Sequence, residues 1–123
     1  MSETQNTKRF DMEERTFIFA KDIRTFIRAL PKSSSNFEDS QQLVRASGSV
    51  GANYIEANES LSKRDFVFRA KICRKEVKES RYWLQLLFTN DNKGVDLERN
   101  RLIQEATELM NIFGAIIRKS EKA

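Results

Sequence analysis

The chain has no histidine and only one cysteine, one proline and four glycines among its 123 residues. Without histidine, Ser-His-Asp and Cys-His nucleophile systems, helix-borne zinc protease motifs and Glu-x-x-His di-iron sites are excluded. A single cysteine cannot form a disulfide within the chain, which points to a reducing compartment. Carboxylate, lysine, tyrosine or thiol chemistry remains, but no carboxylate cluster has a recognisable metal-ligand spacing. We therefore expect no enzyme, no metal and no cofactor.

Long hydrophobic runs are also missing. The uninterrupted apolar stretches are only a few residues long, which is too short to span a membrane. The polar start MSETQNTKRF lacks the apolar core of a secretory signal peptide. These two features predict a cytoplasmic protein that does not contact a membrane.

The scarcity of proline and glycine, together with 33% charged residues, is typical of a helical protein. Apolar residues recur at steps of three and four in four segments. Pro31 ends the first segment, a capping box of Ser62 and Asp65 begins the third, and Asp96 is a suitable N-cap for the fourth. The predicted helices cover about residues 11–30, 37–59, 65–87 and 96–118. Short connections between long helices favour antiparallel neighbours, so we predict an all-α, up-down-up-down four-helix bundle. The predicted domain covers residues 9–118, with flexible tails at 1–8 and 119–123.

Positive charge is concentrated in one segment. Residues 63–81 hold 8 basic and 3 acidic side chains, whereas residues 1–62 hold 8 and 9 and residues 82–123 hold 6 and 6. On a helical wheel, the cations of this segment form a stripe beside the core face. The stripe consists of Lys71, Arg74, Lys75, Lys78 and Arg81. It indicates either an ordinary solvated face or a surface for nucleic acid or another polyanion.

The same helix carries a second apolar patch away from its core seam, formed by Phe68, Ile72, Trp83 and Leu86. A helix of a monomeric bundle needs one apolar stripe, so this patch either meets a neighbouring subunit or widens the contact with an adjacent helix. We favour the subunit interface, because aromatic residues are enriched in interface cores. Cys73 falls on the core seam and is interpreted as a small core residue.

Small residues crowd the middle of the second helix. Gly48 and Gly51 each weaken a helix interior by about 1 kcal/mol relative to alanine, so something must offset that cost. A close approach of another backbone is the usual reason, and a ligand against the small face is the alternative. Asn53 and Glu56 follow on the same surface, where a polar pair at a tight crossing is more typical of a buried hydrogen-bonded contact than of a catalytic site.

Three segments carry a family resemblance: QLVRASGSVGANYIEA at 42–57, SKRDF at 62–66 and KEVKESRYWL at 75–84. In this order they resemble the bacterial four-helix-bundle proteins encoded in intervening sequences of 23S ribosomal RNA genes, over about residues 15–118. The resemblance implies an antiparallel bundle that assembles as a ring-shaped homopentamer. The accessory proteins of diversity-generating retroelements are similar in fold, and their basic surface is associated with nucleic acid and a reverse transcriptase.

The family motif positions in this chain are Arg45, Asn53, Glu56, Asp65, Phe66, Lys75, Glu76, Glu79 and Trp83. The resemblance assigns none of them a catalytic role. We expect four of them to join the second and third helices in a polar clasp, namely Asn53, Glu56, Lys75 and Glu76. The chain departs from the family pattern at Gly51, where many relatives carry proline, and at Tyr54, where a smaller aliphatic residue is common.

The leading functional hypothesis is a non-enzymatic homo-oligomeric scaffold whose basic stripe binds RNA or DNA through phosphates. No base-reading motif is present, so sequence-specific binding is not predicted. The alternative is a protein-interaction adaptor in which the stripe meets an acidic partner and the second apolar patch serves that partner. A hydrolase or nuclease ranks third, because histidine and a metal-carboxylate cluster are both missing.

Overall fold

The computed structural model describes residues 2–122, with side chains from residue 12 onward. Its regular structure consists of helices α1 (Ser2–Arg28), α2 (Ser34–Asn58), α3 (Lys63–Leu86) and α4 (Lys93–Lys122). No strand occurs in this part of the chain, so the predicted all-α class with four helices is confirmed. None of these described helices combines the length and the apolar character that crossing a bilayer requires.

Serine and asparagine side chains determine where the helices begin. Ser33 accepts a hydrogen bond from the Asn36 backbone N–H, so α2 begins about three residues earlier than predicted. Ser62 caps α3 as expected, since its hydroxyl accepts from the Asp65 backbone N–H.

The predicted cap of the fourth helix is wrong. Asn92 lies before the helix and accepts from the Val95 N–H, so α4 begins at Lys93. Asp96 is already inside the first turn, where its carboxylate accepts from the Thr89 hydroxyl and from Arg99. The preceding residues Asn90 and Asp91 both have a φ of 56°, the left-handed conformation that Asn and Asp tolerate best after glycine.

Helix extends into both segments that were predicted to be tails. The backbone of residues 2–8 belongs to α1, and residues 119–122 continue α4 beyond the predicted domain end at 118. Residues 1 and 123 lie outside the described part of the chain. The flexibility of these segments stays a prediction.

The helices contact one another in the cyclic order α1, α2, α3, α4 and back to α1. In every neighbouring pair, residue numbers fall along one helix as they rise along the other. Between α1 and α2 the contacts that show this are Glu13–Asn58 and Arg24–Gly48, and between α2 and α3 they are Arg45–Glu79 and Asn53–Arg69. Between α3 and α4 they are Lys71–Glu121 and Arg81–Thr107, and between α1 and α4 they are Arg15–Glu105 and Asp22–Arg101.

One hydrophobic core lies between the four helices. Its fully buried side chains come from every helix and include Phe19, Ile23, Leu43, Val50, Val77, Leu84, Leu102, Leu109 and Phe113. Cys73 is part of this core, which confirms its interpretation as a structural residue. Its Sγ donates to the Val50 carbonyl at 3.4 Å, and burial raises the pKa of the thiol to about 12. The thiol is therefore protonated and unreactive in the folded protein.

The two glycines of α2 differ in what they approach. A Cβ at Gly51 would lie 3.1 Å from Oγ1 of Thr16, a fully buried residue of α1. A Cβ at Gly48 would lie 3.4 Å from the flexible end of Arg24. The close helix approach predicted for both glycines therefore occurs at Gly51, while Gly48 borders only a side chain that can move.

Candidate nucleic-acid interface

The centre of the basic stripe is open to solvent. Arg74, Lys75 and Lys78 are exposed, and none of them forms an ion pair or a side-chain hydrogen bond with any residue that the structure describes. Their spacing along α3 places the three cations on the outer side of the helix, away from the core residues Cys73 and Val77. These three side chains are free to meet an external anion.

The two end residues of the basic stripe, Lys71 and Arg81, both contact side chains of α4. Lys71 Nζ lies 3.3 Å from Oε2 of Glu121, and both side chains are about half exposed. Arg81 is half-buried and donates to the Thr107 hydroxyl at 3.2 Å. A surface ion pair such as Lys71–Glu121 contributes less than about 1 kcal/mol, so an external phosphate can compete for Lys71.

Helix α4 carries an exposed cation, Arg118, three residues before Glu121, the ion-pair partner of Lys71. A Cβ at the buried Gly114 would lie 3.3 Å from Nη1 of Arg118, so the Arg118 guanidinium lies against the backbone one turn before its own position. The Lys71–Glu121 ion pair brings this end of α4 beside α3. Sequence reasoning missed Arg118, because it placed the domain end there. The one available signal was the Gly114/Arg118 spacing of one helical turn.

Two of the three acidic residues of α3, Glu76 and Glu79, form ion pairs with an arginine of α2. The Arg45 guanidinium donates to Oε2 of Glu79 at 2.8 Å and lies 3.4 Å from both carboxylate oxygens of Glu76. Burial raises the pKa of Glu76, whereas hydrogen bonds from Glu76 and Arg45 lower the pKa of Glu79. Among the described residues, neither Glu76 nor Glu79 forms an ion pair with a cation of the basic stripe.

The predicted polar clasp has different partners from those expected. Asn53 accepts from Arg69 at 3.0 Å, while Glu76 pairs with Arg45. The side chains of Glu56 and Lys75 are exposed, and within the described residues they form no contact of this kind between α2 and α3. Two separate arginine contacts therefore join the helices in place of one clasp of four residues.

The predicted oligomer patch is divided by the fold. Trp83 is half-buried and packs against the core, and Ile72 is half-buried as well. Phe68 and Leu86 are 60% and 50% exposed. Trp83 therefore follows the second alternative that the sequence left open, a wider contact within the subunit. Phe68 and Leu86 lie on the surface.

A larger apolar surface lies between α1 and α2. A cavity of about 400 Å³ has Gly48, Gly51 and Ala52 on one wall and the exposed Phe17 and Ile55 at its edge. A second cavity, of about 850 Å³, continues along the same pair of helices and is lined by residues that include Ile27, Leu30, Phe37 and Val44. The small face of α2 therefore borders an open groove.

In the described residues, no three acidic or thiol groups lie together in a way that could hold a metal ion. Two pairs of carboxylates each share one arginine: Glu76 and Glu79 contact Arg45, and Glu105 and Glu108 contact Arg15.

The model of the 23S rRNA-intervening sequence protein family matches residues 8–115, which is most of the chain. The chain belongs to this family. The predicted resemblance is thereby confirmed, and the match begins several residues before the expected start at about residue 15. No curated protein matches the chain.

A solved structure agrees with this assignment. It is the crystal structure of a protein with unknown function from the S23 ribosomal protein family of Bacteroides thetaiotaomicron. The identity is 28%, the TM-score is 0.73, and the match covers 86% of this chain and 97% of the other.

The family-like segments meet in the structure. Segment 42–57 supplies Arg45, and segment 75–84 supplies the two carboxylates that it contacts. The same two segments contain Gly51, which lies against Thr16, and Trp83, which packs on the core. The residues that carry the resemblance to the intervening-sequence proteins are thus largely those that join α2 to its neighbours.

Proposed function

We propose that this chain is a non-enzymatic, homo-oligomeric, antiparallel four-helix bundle that binds nucleic acid non-specifically through its phosphates. One observation carries the proposal: Arg74, Lys75 and Lys78 are exposed and unpaired among the described residues. The acids nearest to them in sequence, Glu76 and Glu79, are held by Arg45 on the α2 side. The three cations therefore have no ion-pair partner among the described residues, and they present positive charge to the solvent.

Phosphate contacts of this kind do not depend on base sequence. Each neutralised phosphate releases condensed counterions, so the affinity falls steeply as salt rises. Lys71 at the α3–α4 edge extends the surface, because it needs only to exchange a weak ion pair for a phosphate.

A homo-oligomer multiplies this surface. The family resemblance supports a ring of five subunits, in which weak contacts from each copy add up along one nucleic-acid chain. An interface covering both Phe68 and Leu86 would also bury Lys75 and Glu79, and charged residues are depleted from interface cores. We therefore place the subunit contact on the α1–α2 groove, which leaves α3 open.

Fluorescence anisotropy with labelled DNA and RNA tests the proposal. The variant Arg74→Glu, Lys75→Glu, Lys78→Glu should lose at least about tenfold in affinity at roughly 50 mM salt. A matched control reverses the exposed cations Arg28, Lys32 and Lys93, which lie outside α3, where α1 ends and α4 begins. The proposal fails if no oligonucleotide binds to the wild type, or if both variants lose affinity equally.

The adaptor hypothesis keeps one supporting observation. The exposed Phe68 and Leu86 flank the stripe on α3, and a mixed apolar and basic surface suits an acidic protein segment. Absence of nucleic-acid binding by a folded wild-type protein would favour this second function.

A further inference from the structure

We propose that α3 selects single-stranded over double-stranded nucleic acid, because an unpaired base stacks on Tyr82 while Lys75 and Lys78 hold the adjoining phosphates. This inference rests on the proposed function and specifies its ligand. Tyr82 was not among the predicted binding residues.

Tyr82 has the position that a stacking platform requires. The residue is 55% exposed, so about half of its surface is open to a ligand. Its ring meets the Trp83 ring edge-on, with centroids 5.0 Å apart and an interplanar angle of 75°. Trp83 in turn packs against the core. The Tyr82 ring is therefore supported by a fixed neighbour while much of its surface stays open.

The flanking charges complete the site. Lys75, Lys78 and Tyr82 follow one another at steps of three and four residues, so they lie in one row on the outer face of α3. Together with Glu79 and Trp83 they line a surface depression of about 320 Å³. Glu79 forms its ion pair with Arg45 of α2, and the charge of Lys75 also helps to lower the pKa of Glu79.

The choice of a single strand follows from base accessibility. Bases in a duplex are stacked on one another and cannot place a face on a protein ring, whereas unpaired bases can. Proteins that bind single strands without sequence preference combine a cationic track with exposed aromatic side chains, since every base has a π-face. A row of two lysines and one tyrosine provides both parts.

Anisotropy titrations with an oligothymidylate of roughly 20 nucleotides and a duplex of equal length test the inference. We expect the wild type to bind the single strand more tightly. Tyr82→Ala should weaken single-strand binding by roughly 5- to 150-fold and leave duplex binding within about twofold. Tyr82→Phe should retain the affinity, because it retains the ring. Leu86→Ala is the matched control, since it removes exposed apolar surface from the same face without removing a π-system.

A second readout uses Trp83, the one tryptophan of the chain. Because Tyr82 touches its ring, a base stacked on Tyr82 should change the Trp83 fluorescence, and the change should vanish in Tyr82→Ala. Thermal melting of each variant establishes that it is folded.

The outcomes separate this inference from the proposed function. Equal affinity for single strand and duplex, or equal losses for both in Tyr82→Ala, would overturn the stacking inference while leaving phosphate binding intact. Failure of the wild type to bind either ligand would overturn both.

Discussion

Arg45 of α2 donates a hydrogen bond to the Glu79 carboxylate of α3 at 2.8 Å, and the same guanidinium lies against the buried Glu76. Glu76 needs this partner, because burying a carboxylate without compensation is costly. Because both carboxylates pair with Arg45, neither of them forms an ion pair with a cation of the basic stripe on α3.

Removal of this guanidinium should therefore destabilise the bundle. We expect Arg45→Ala to lower the free energy of unfolding by about 1–3 kcal/mol near neutral pH, because Glu76 is left buried without its cation. Urea unfolding followed by circular dichroism measures the loss. Arg101→Ala is the control: it removes an exposed arginine that pairs with Asp22 and Glu98, and it should cost less than about 1 kcal/mol.

The stability that Arg45→Ala loses relative to the wild type should become smaller as pH falls. Burial already raises the folded-state pKa of Glu76, and Arg45 acts in the opposite direction. Without Arg45, the pKa values of Glu76 and Glu79 in the folded state both rise relative to the folded wild type, so the folded variant takes up protons at a higher pH than the folded wild type does. The stability difference from the wild type should therefore narrow as pH falls from neutral through the usual glutamate pKa of about 4.3. A difference that is constant with pH would contradict this account.

The glycines of α2 provide a second prediction. Glycine to alanine in a helix gains up to about 1 kcal/mol when the new methyl group meets nothing. Gly48→Ala should realise most of this gain, because only the mobile end of Arg24 is close. Gly51→Ala should gain nothing or lose stability, since Thr16 is fully buried and its hydroxyl is bonded to the Met12 and Glu13 carbonyls. Thermal melting measures both.

Gly51→Leu makes the same test more severe. We expect a clear fall in melting temperature, because the larger side chain cannot fit against Thr16 without separating α1 from α2. A Gly51→Leu protein that melts at or above the wild-type temperature would show that the glycine is only tolerated there.

These cases show what the sequence could predict. The period of the apolar residues specifies four helices and their core faces, because only one face of each helix can be buried. Arg45 and Glu76 were both identifiable as motif residues, but their pairing depends on side-chain reach across α2 and α3, which spacing along one helix does not contain. The start of α4 was missed for a similar reason: Asn92 and Asp96 are both good caps, and the turn through Asn90 and Asp91 decides between them.

Trp83 provides a third prediction and revises an earlier expectation. If Trp83 lay in an external subunit interface, Trp83→Glu would dissociate the oligomer and leave the subunit folded, whereas a loss of helicity would place Trp83 in the subunit core. Because Trp83 packs on the core, we now expect the subunit itself to lose stability, by about 2 kcal/mol or more. Circular dichroism melting measures this, and Phe68→Glu, at an exposed position of the same helix, serves as the control. A Trp83→Glu protein that melts at the wild-type temperature would show that Trp83 belongs to the surface patch and not to the core.

The last prediction concerns assembly. We expect light scattering coupled to size exclusion to give a mass near five times the chain mass of 14.4 kDa. The double variant Phe17→Glu, Ile55→Glu should reduce that mass to the monomer, because both side chains are exposed at the edge of the α1–α2 groove and would place charges in the subunit contact. The matched variant Phe68→Glu, Leu86→Glu adds the same charge to exposed positions of α3 and should leave the mass unchanged.

The reverse result would place the subunit contact on α3, where it would cover Lys75 and Tyr82 and remove the basis for nucleic-acid binding there. A wild-type monomer at micromolar concentration would contradict both placements, since neither apolar surface would then be covered by a second copy.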